Sequence, residues 1–223
     1  MRSRPVVTID GPSGAGKTTV SKRLADAAGF VRIDTGAMYR AVALAARRAG
    51  ISWDDADHLG RVARELSCSF PTVAGTPRVV LSGEDVTEAI RTPEMSMGAS
   101  AVSAHGPVRE ALVAKQREMG REGGVVLEGR DTGTVVFPDA EVKFFLDAVA
   151  AVRARRRYLE ISPPASQPYE EVLRDVLRRD VQDSTRENSP LRVAHDAAYI
   201  DTTTLTVDEV VAEMLRRVPG VPR

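Results

Sequence analysis

Short apolar runs alternate along the chain with longer amphipathic stretches. Five of the runs, each bounded by polar residues or glycine, predict buried strands at residues 5–9, 30–33, 125–127, 142–146 and 198–200. The amphipathic stretches between them predict helices at residues 18–28, 37–49, 107–122, 148–160, 169–184 and 207–217. This order predicts an α/β fold with a doubly wound, five-stranded parallel sheet.

Two stretches depart from the alternation. Residues 66–87 contain two short strand-like runs around the Gly75-Thr-Pro sequence, and we interpret them as a small antiparallel β insert. Residues 161–168 contain three prolines and predict a loop between two arginine-bearing helices.

The segment between the first strand and the first helix has the most specific pattern in the chain. Residues 11–18, GPSGAGKT, match the phosphate-binding loop G-x-x-x-x-G-K-[ST] at every fixed position. In such a loop the backbone amides and the helix N-terminus converge on a phosphate. Lys17 then faces the β and γ phosphates, and the Thr18 hydroxyl is a ligand for Mg²⁺. The sequence therefore predicts binding of a nucleoside triphosphate.

Composition narrows the class of protein. The 223 residues, 43% of them hydrophobic, suffice for one domain, residues 1–223, with a full core. The 31 basic and 31 acidic residues balance, so no overall charge attracts nucleic acid or a membrane. Cys68 is a lone cysteine, which fits a reducing compartment. With no apolar signal core and no apolar run long enough for a membrane span, we expect a cytoplasmic protein.

Two polar clusters follow predicted strands. In residues 34–40, DTGAMYR, the Thr35 hydroxyl and the Arg40 guanidinium can point at one anion, although a capped helix with a surface arginine explains the spacing equally well. Residues 128–133, EGRDTG, follow the third strand, where open α/β sheets bind ligands. A structural salt bridge at the strand end is the alternative there.

Arginines are dense in the last third of the chain. They occur at residues 153–157, RARRR, and again at Arg178, Arg179 and Arg186, with Asp180 and Asp183 among them. Taken alone, such a pattern usually marks a solvated helix face with charge pairs one turn apart.

Taken together, these motifs resemble bacterial cytidylate kinases over nearly the whole chain. The resemblance rests on residues 11–18, on DTGAMYR at 34–40, on IRTPE at 90–94, on EGRDTGTVVFPD at 128–139 and on DTTT at 201–204. It implies transfer of the γ-phosphoryl group of ATP to CMP or dCMP by a monomer, with Mg²⁺. It also implies a three-layer P-loop fold with a nucleoside-monophosphate-binding insert near residues 60–105 and a helical lid near residues 153–190.

The resemblance also assigns residues. Those implied to bind ATP are Gly11, Pro12, Ser13, Gly14, Ala15, Gly16, Lys17, Thr18 and Thr19, with Arg153, Arg156 and Arg157 on the lid side. Those implied to bind the acceptor are Thr35, Arg40, Ser100, Arg109, Arg130, Asp131, Arg179 and Asp183. Lys17, Arg130, Arg179 and Arg186 are implied to stabilise the transferred group. The chain has Thr35 and Glu128 where the family often has serine and aspartate.

The residues themselves fit this mechanism. An acceptor phosphate is already an anion, so the protein has to align two polyanions rather than supply a strong base. His58, His105 and His195 lie outside every motif. Three alternatives share the phosphate loop: a GTP-dependent switch, for which an Asn-Lys-x-Asp sequence is lacking; a kinase for UMP, AMP or shikimate; and an ATP-binding protein without turnover.

Overall fold

Ten strands and eight α-helices run through the part of the chain that the computed structural model describes, residues 2–74, 76–160 and 167–221. The strands are β1 Val6–Asp10, β2 Val31–Asp34, β3 Cys68–Ser69, β4 Thr72–Val73, β5 Thr76–Pro77, β6 Val80–Leu81, β7 Glu84–Asp85, β8 Val125–Gly129, β9 Val142–Asp147 and β10 Ala198–Asp201. The helices are α1 Lys17–Ala28, α2 Thr35–Arg48, α3 Ala56–Glu65, α4 Pro93–Val102, α5 Gly106–Met119, α6 Ala150–Glu160, α7 Tyr169–Thr185 and α8 Val207–Leu215. A 3₁₀ turn spans Ala89–Arg91, and a π-helical turn spans Thr132–Val136.

The five predicted strands form one parallel sheet in the order β10-β9-β1-β8-β2. Strand β1 is central, with Val7 opposite Val126 of β8 on one side and opposite Val142 of β9 on the other. Every residue of β1 and β8 is buried, which explains why both read as continuous apolar runs. The predicted five-stranded parallel sheet is confirmed, with strand ends shifted by at most two residues.

The chain divides into two compact units. The first unit consists of Met1–Arg32 and Glu122–Arg223, and the second of Ile33–Arg121. The core of the first unit includes Leu24, Phe144 and Met214, and that of the second includes Met38, Leu59 and Leu112. The predicted domain organisation, with its insert near 60–105 and lid near 153–190, stays a prediction.

Two helices of the second unit, α3 and α4, are absent from the sequence prediction. Each begins at a side-chain cap: Asp55 accepts from the amide of His58 at 3.1 Å, and Thr92 accepts from that of Met95 at 3.1 Å. Each also contains an internal glycine, which weakens a helical signal. A Cβ on Gly98 would lie 2.6 Å from the Trp53 ring, so close packing explains the glycine in α4.

The antiparallel insert is confirmed, with strands β3-β6-β7 in one small sheet and β4-β5 in another. Its predicted turn was wrong in one respect, because Thr76 and Pro77 form strand β5 and pair with Val73 and Thr72. Gly75 lies outside the described residues, as do residues 161–166 of the predicted proline-rich loop. Within the described ranges, no helix is both long enough and apolar enough to cross a membrane.

Candidate active site

The phosphate loop, residues 11–18, joins β1 to α1 in a backbone conformation that requires glycine at two positions. Gly11 has φ +147°, and a Cβ there would lie 1.9 Å from the carbonyl oxygen of Leu146. Gly14 has φ +79°, and a Cβ there would lie 2.8 Å from the carbonyl oxygen of Arg153. The loop therefore packs backbone to backbone against its neighbours and leads directly into the N-terminus of α1.

Lys17, the lysine of this loop, is a buried cation. Only 7% of the residue is exposed, and its Nζ donates a hydrogen bond of 2.7 Å to the carbonyl of Pro12. Burial, and next the charge of Arg130, lower the pKa of Lys17 to about 7, against the opposing effect of nearby carboxylates led by Glu128. A phosphate group would supply the negative charge that favours the protonated lysine.

Glu128, at the carboxyl end of β8, is buried and accepts hydrogen bonds from three side chains. The Thr18 hydroxyl donates to Oε2 at 3.0 Å, the Ser21 hydroxyl to Oε1 at 3.1 Å, and Arg32 Nε to Oε1 at 3.0 Å. A second nitrogen of Arg32 completes an ion pair with the same oxygen. The salt bridge proposed as the alternative for this strand end is present, whereas ligand binding there stays a prediction.

The oxygens of Thr18 and Glu128 fit a magnesium ion held in part by phosphate. Mg²⁺ prefers oxygen ligands, keeps several waters, and is often bound through one or two protein groups plus substrate phosphates. A hydroxyl that donates its hydrogen bond to a carboxylate keeps its lone pairs for the metal. Within the described residues, no group of three or more His, Cys, Asp or Glu side chains could hold a metal ion.

Arg130 and Asp131, directly after β8, contact residues of the region that begins with α7. Arg130 Nε donates to Asp183 Oδ2 at 2.6 Å. The guanidinium of Arg186 lies 3.8 Å from Asp131 and 3.9 Å from Asp183. Burial would raise the pKa of Asp183, but Arg130 and then Arg186 hold it below its ordinary value. The structure thus brings four predicted site residues together. Arg130 and Asp131 come from one segment of the sequence, and Asp183 and Arg186 come from another that is more than 50 positions further along.

Arg179 lies on α7, one turn before Asp183, and it belongs to a group of like charges. Burial, and next the charges of Arg157 and Arg130, lower the pKa of Arg179. In the part of the chain that the structure describes, no carboxylate lies within ion-pair distance of its guanidinium, whereas the neighbouring Arg178 pairs with Asp175 at 2.9 Å on the exposed face. We call Arg130, Arg157 and Arg179 the arginine cluster. Such a cluster favours a polyanion.

The arginines predicted to lie on the lid side differ in their contacts. Arg153 is 5% exposed and forms a bidentate pair with Asp180. Arg156 donates to the carbonyl of Thr202 at 2.6 Å and to its hydroxyl at 3.0 Å. Arg157 lies 3.7 Å from Glu160. The prediction of a solvated helix face therefore holds for only some of these arginines, because Arg153 points into the protein.

Asp10, at the end of β1, was missed by sequence reasoning. It is 4% exposed and accepts three hydrogen bonds: from the amide of Thr132 at 2.9 Å, from the hydroxyl of Thr132 at 2.7 Å, and from the amide of Gly133 at 2.7 Å. These bonds hold the π-helical turn that follows Arg130 and Asp131. A charged residue at the end of an apolar strand was the available signal for Asp10, as it was for Glu128.

In the second unit, Thr35 is the first residue of α2 and is 4% exposed. The predicted start of this helix at residue 37 is therefore two residues late. Asp34 caps the helix by accepting from the amide of Ala37 at 2.9 Å, and it also accepts from Arg40 at 3.0 Å. The capped helix proposed as an alternative is present, with Arg40 partly buried on the carboxylate of the cap.

Two further predicted acceptor-binding residues lie on helices of the second unit. Arg109 on α5 is 4% exposed, with its guanidinium 5.6 Å from the centre of the Tyr39 ring and one nitrogen 3.4 Å from the carbonyl of Ser103. Ser100 is half-buried on α4. A buried arginine over an aromatic ring is held in a defined orientation.

Comparison with known proteins gives one family. The family model described as "Cytidylate kinase" matches residues 7–219. Curated proteins named cytidylate kinase are similar over most of their length. Those from Geobacter sp. strain M21 and from Geobacter sulfurreducens are each 54% identical, covering 96% and 94% of this chain and 92% and 90% of the respective relatives. A cytidylate kinase from Cupriavidus necator is 48% identical, over 94% of this chain and 93% of that protein.

Solved structures show the fold at low sequence identity. An uncharacterised protein from Eubacterium ventriosum matches with a TM-score of 0.55 at 11% identity, covering 97% of this chain and 99% of that chain. Shikimate kinase from Bacteroides thetaiotaomicron matches with a TM-score of 0.50 at 13% identity, covering 96% of this chain and 98% of that chain.

Proposed function

Because the chain belongs to the cytidylate kinase family, we propose that it transfers the γ-phosphoryl group of ATP to CMP or dCMP, giving ADP and CDP or dCDP. The observation that supports this activity most directly is the arginine cluster beside Lys17 in the first unit. The charge of Arg130 lowers the pKa of Lys17, and the charges of Arg157 and Arg130 lower the pKa of Arg179. Arg179 also lies within ion-pair distance of no carboxylate among the described residues. Negative charge on two phosphorylated substrates would offset this repulsion.

The proposed mechanism is alignment and charge stabilisation. The acceptor phosphate of CMP is already nucleophilic at neutral pH, so the protein has to bring it into line with the γ phosphate and stabilise the charge on the equatorial oxygens. Lys17, Arg130, Arg179 and Arg186 are the proposed catalytic cations. Asp183 supports them, since it accepts a hydrogen bond from Arg130 and lies one turn from Arg179.

For the donor, we propose that the phosphates of ATP bind the amides of the phosphate loop, with Arg156 and Arg157 on the lid side. The residues of the loop proposed to contact ATP are Gly11, Pro12, Ser13, Gly14, Ala15, Gly16, Lys17, Thr18 and Thr19. Thr18 would ligate Mg²⁺, with Glu128 accepting a hydrogen bond from the Thr18 hydroxyl. When bound, the ion neutralises charge on the phosphates and orients them for transfer.

For the acceptor, we propose eight residues from the sequence motifs. They are Thr35, Arg40, Ser100, Arg109, Arg130, Asp131, Arg179 and Asp183. Arginines suit a phosphate because their fork of N–H donors matches its oxygens. We further propose that the protein works as a monomer in the cytoplasm, which sedimentation of the purified chain and fractionation of cells would test.

A coupled assay of ADP release with a panel of acceptors tests this function. We expect turnover with ATP and CMP or dCMP, and at least about tenfold lower kcat/KM with UMP, AMP or shikimate. A higher kcat/KM for any of those three would replace the proposed acceptor. Binding of ATP without release of ADP for any acceptor would reject the kinase activity.

A further inference from the structure

Arg153 is a buried guanidinium that joins three separate segments of the first unit. Its Nε donates to the carbonyl of Ala148 at 2.7 Å, just before α6. One terminal nitrogen donates both to the carbonyl of Ser13 in the phosphate loop at 3.2 Å and to Asp180 Oδ1 at 2.9 Å. The other terminal nitrogen donates to Asp180 Oδ2 at 2.6 Å. The planar fork thus fixes a loop, a strand end and helix α7 at once.

The contact with Ser13 sets the direction of an amide in the phosphate loop. In a trans peptide the carbonyl and the following N–H point in opposite directions. Since Arg153 holds the carbonyl of Ser13, the N–H of Gly14 points to the other side of the loop. The backbone of Arg153 also lies so close that a side chain at Gly14 would clash.

The contact with Asp180 sets the position of helix α7. Asp180 follows Arg179 directly and precedes Asp183 by one turn. Its bidentate pair with Arg153 therefore restrains both the rotation of α7 about its axis and the position of α7 along that axis. An arginine held by two parallel hydrogen bonds has little freedom to turn. The same pair therefore restrains a residue that we assign to the acceptor phosphate and a loop that we assign to the donor.

We propose that Arg153 and Asp180 are positioning residues for phosphoryl transfer, which orient the Gly14 amide and fix the place of Arg179 on α7. This inference rests on the proposed function. It differs from the role that the family resemblance implies for Arg153, since a guanidinium engaged in this way serves the loop and α7 rather than the ATP phosphates.

The test uses two variants and one control in the full chain. Asp180→Asn removes the charge and one acceptor, and Arg153→Lys keeps the charge but loses the fork. Glu213→Gln on α8 removes a carboxylate from exposed pairs with Arg216 and Arg217 and serves as the control. Dissociation constants for Mg-ATP are measured by calorimetry without acceptor, and kcat is measured at saturating ATP and CMP. Both measurements are made at a temperature at which thermal unfolding curves show that each variant is folded.

For Asp180→Asn we expect about tenfold weaker Mg-ATP binding together with about tenfold lower kcat. Arg153→Lys should change both quantities in the same direction, and the double variant should be no worse than the more affected single one, because both act through one contact. The control should match the parent. If Asp180→Asn does not fold, Arg153→Lys decides alone.

A folded Arg153→Lys or Asp180→Asn protein could bind Mg-ATP as tightly as the parent and have the same kcat. That result would show that the pair serves stability only. Effects that add in the double variant would also overturn the proposal. Failure of the proposed function looks different, since the parent itself would then lack turnover with CMP, while binding of Mg-ATP by parent and variants could still be compared.

Discussion

The hydroxyl of Thr18 donates a hydrogen bond of 3.0 Å to the buried carboxylate of Glu128. This contact links the first turn of α1 to the carboxyl end of β8. Arg32 forms an ion pair with the other oxygen of the carboxylate, and Ser21 donates a hydrogen bond to that same oxygen. The proton of Thr18 is therefore directed to Glu128, which leaves the lone pairs of the hydroxyl for a cation.

The first prediction concerns this contact. Glu128→Gln should raise the Mg²⁺ concentration for half-maximal velocity about tenfold. Replacing a residue that orients a metal ligand typically lowers the metal affinity by about 10–100-fold. Velocity as a function of free Mg²⁺ at saturating ATP and CMP measures the effect. Ser21→Ala is the matched control, since it removes another hydroxyl from the same carboxylate and leaves the hydrogen bond between the Thr18 side chain and Glu128 in place. An equal change in both variants would mean that Glu128 acts through the fold.

The second prediction concerns Lys17→Met. Loss of a buried cation at the transferred phosphate should lower kcat/KM by roughly two to four orders of magnitude. The same variant should unfold at a Tm about 3 °C or more above that of the parent at pH 7, because the folded chain no longer has to bury a charge. Steady-state kinetics and thermal unfolding measure the two effects. Activity above about a tenth of the parental value would reject the assigned role of the lysine.

The third prediction follows from the pKa of Lys17, which lies near 7 without ligand. At pH 8 the side chain is mostly neutral, and bound phosphates favour the protonated form, so ATP binding should take up close to one proton. As pH rises from 7 to 8.5, ATP affinity should fall. Calorimetry at pH 8 in two buffers of different ionisation enthalpy measures the uptake. Lys17→Met should lack this uptake, and an identical uptake in both proteins would assign the proton to another group.

The fourth prediction concerns the arginine cluster. Because Arg130, Arg157 and Arg179 repel one another, residues 153–160 and 167–186 should exchange amide hydrogens faster without substrates than with them. Hydrogen exchange with and without non-hydrolysable ATP and a CMP analogue measures the difference. Unchanged exchange in both segments would indicate a static, salt-bridged face, like the pair of Arg178 with Asp175.

The fifth prediction concerns base selection. Cytosine carries an exocyclic amine where uracil carries a carbonyl, and a carboxylate at Asp131 can accept from the amine but repels the carbonyl. An unpaired buried polar group costs about 1–3 kcal/mol, so CMP should be preferred to UMP by at least about tenfold in kcat/KM. Asp131→Asn should reduce activity with CMP more than with UMP. An equal loss for both acceptors would place Asp131 in the phosphate machinery or the fold.

Sequence alone was sufficient where structure is local. The phosphate loop is a continuous segment in which glycines occupy positions with positive φ, as Gly11 and Gly14 show. The sheet was also predictable, because strands covered on both faces give continuous apolar runs. Helices α3 and α4 were not, since their internal Gly60 and Gly98 weaken the local signal and are explained only by close packing against Pro107 and Trp53.

The partners of the charged residues were decided only by the tertiary structure. Spacing shows that Arg153 lies on a helix, but the carboxylate it contacts is 27 residues away, on another helix. Asp10 holds a turn 122 residues further along the chain, and Arg32 neutralises a carboxylate 96 residues away. A periodic pattern records which face of an element is apolar, whereas an ion pair depends on where the fold brings two distant elements together. For this reason the sequence indicated the chemistry of the site, and the fold determined which carboxylates the arginines contact.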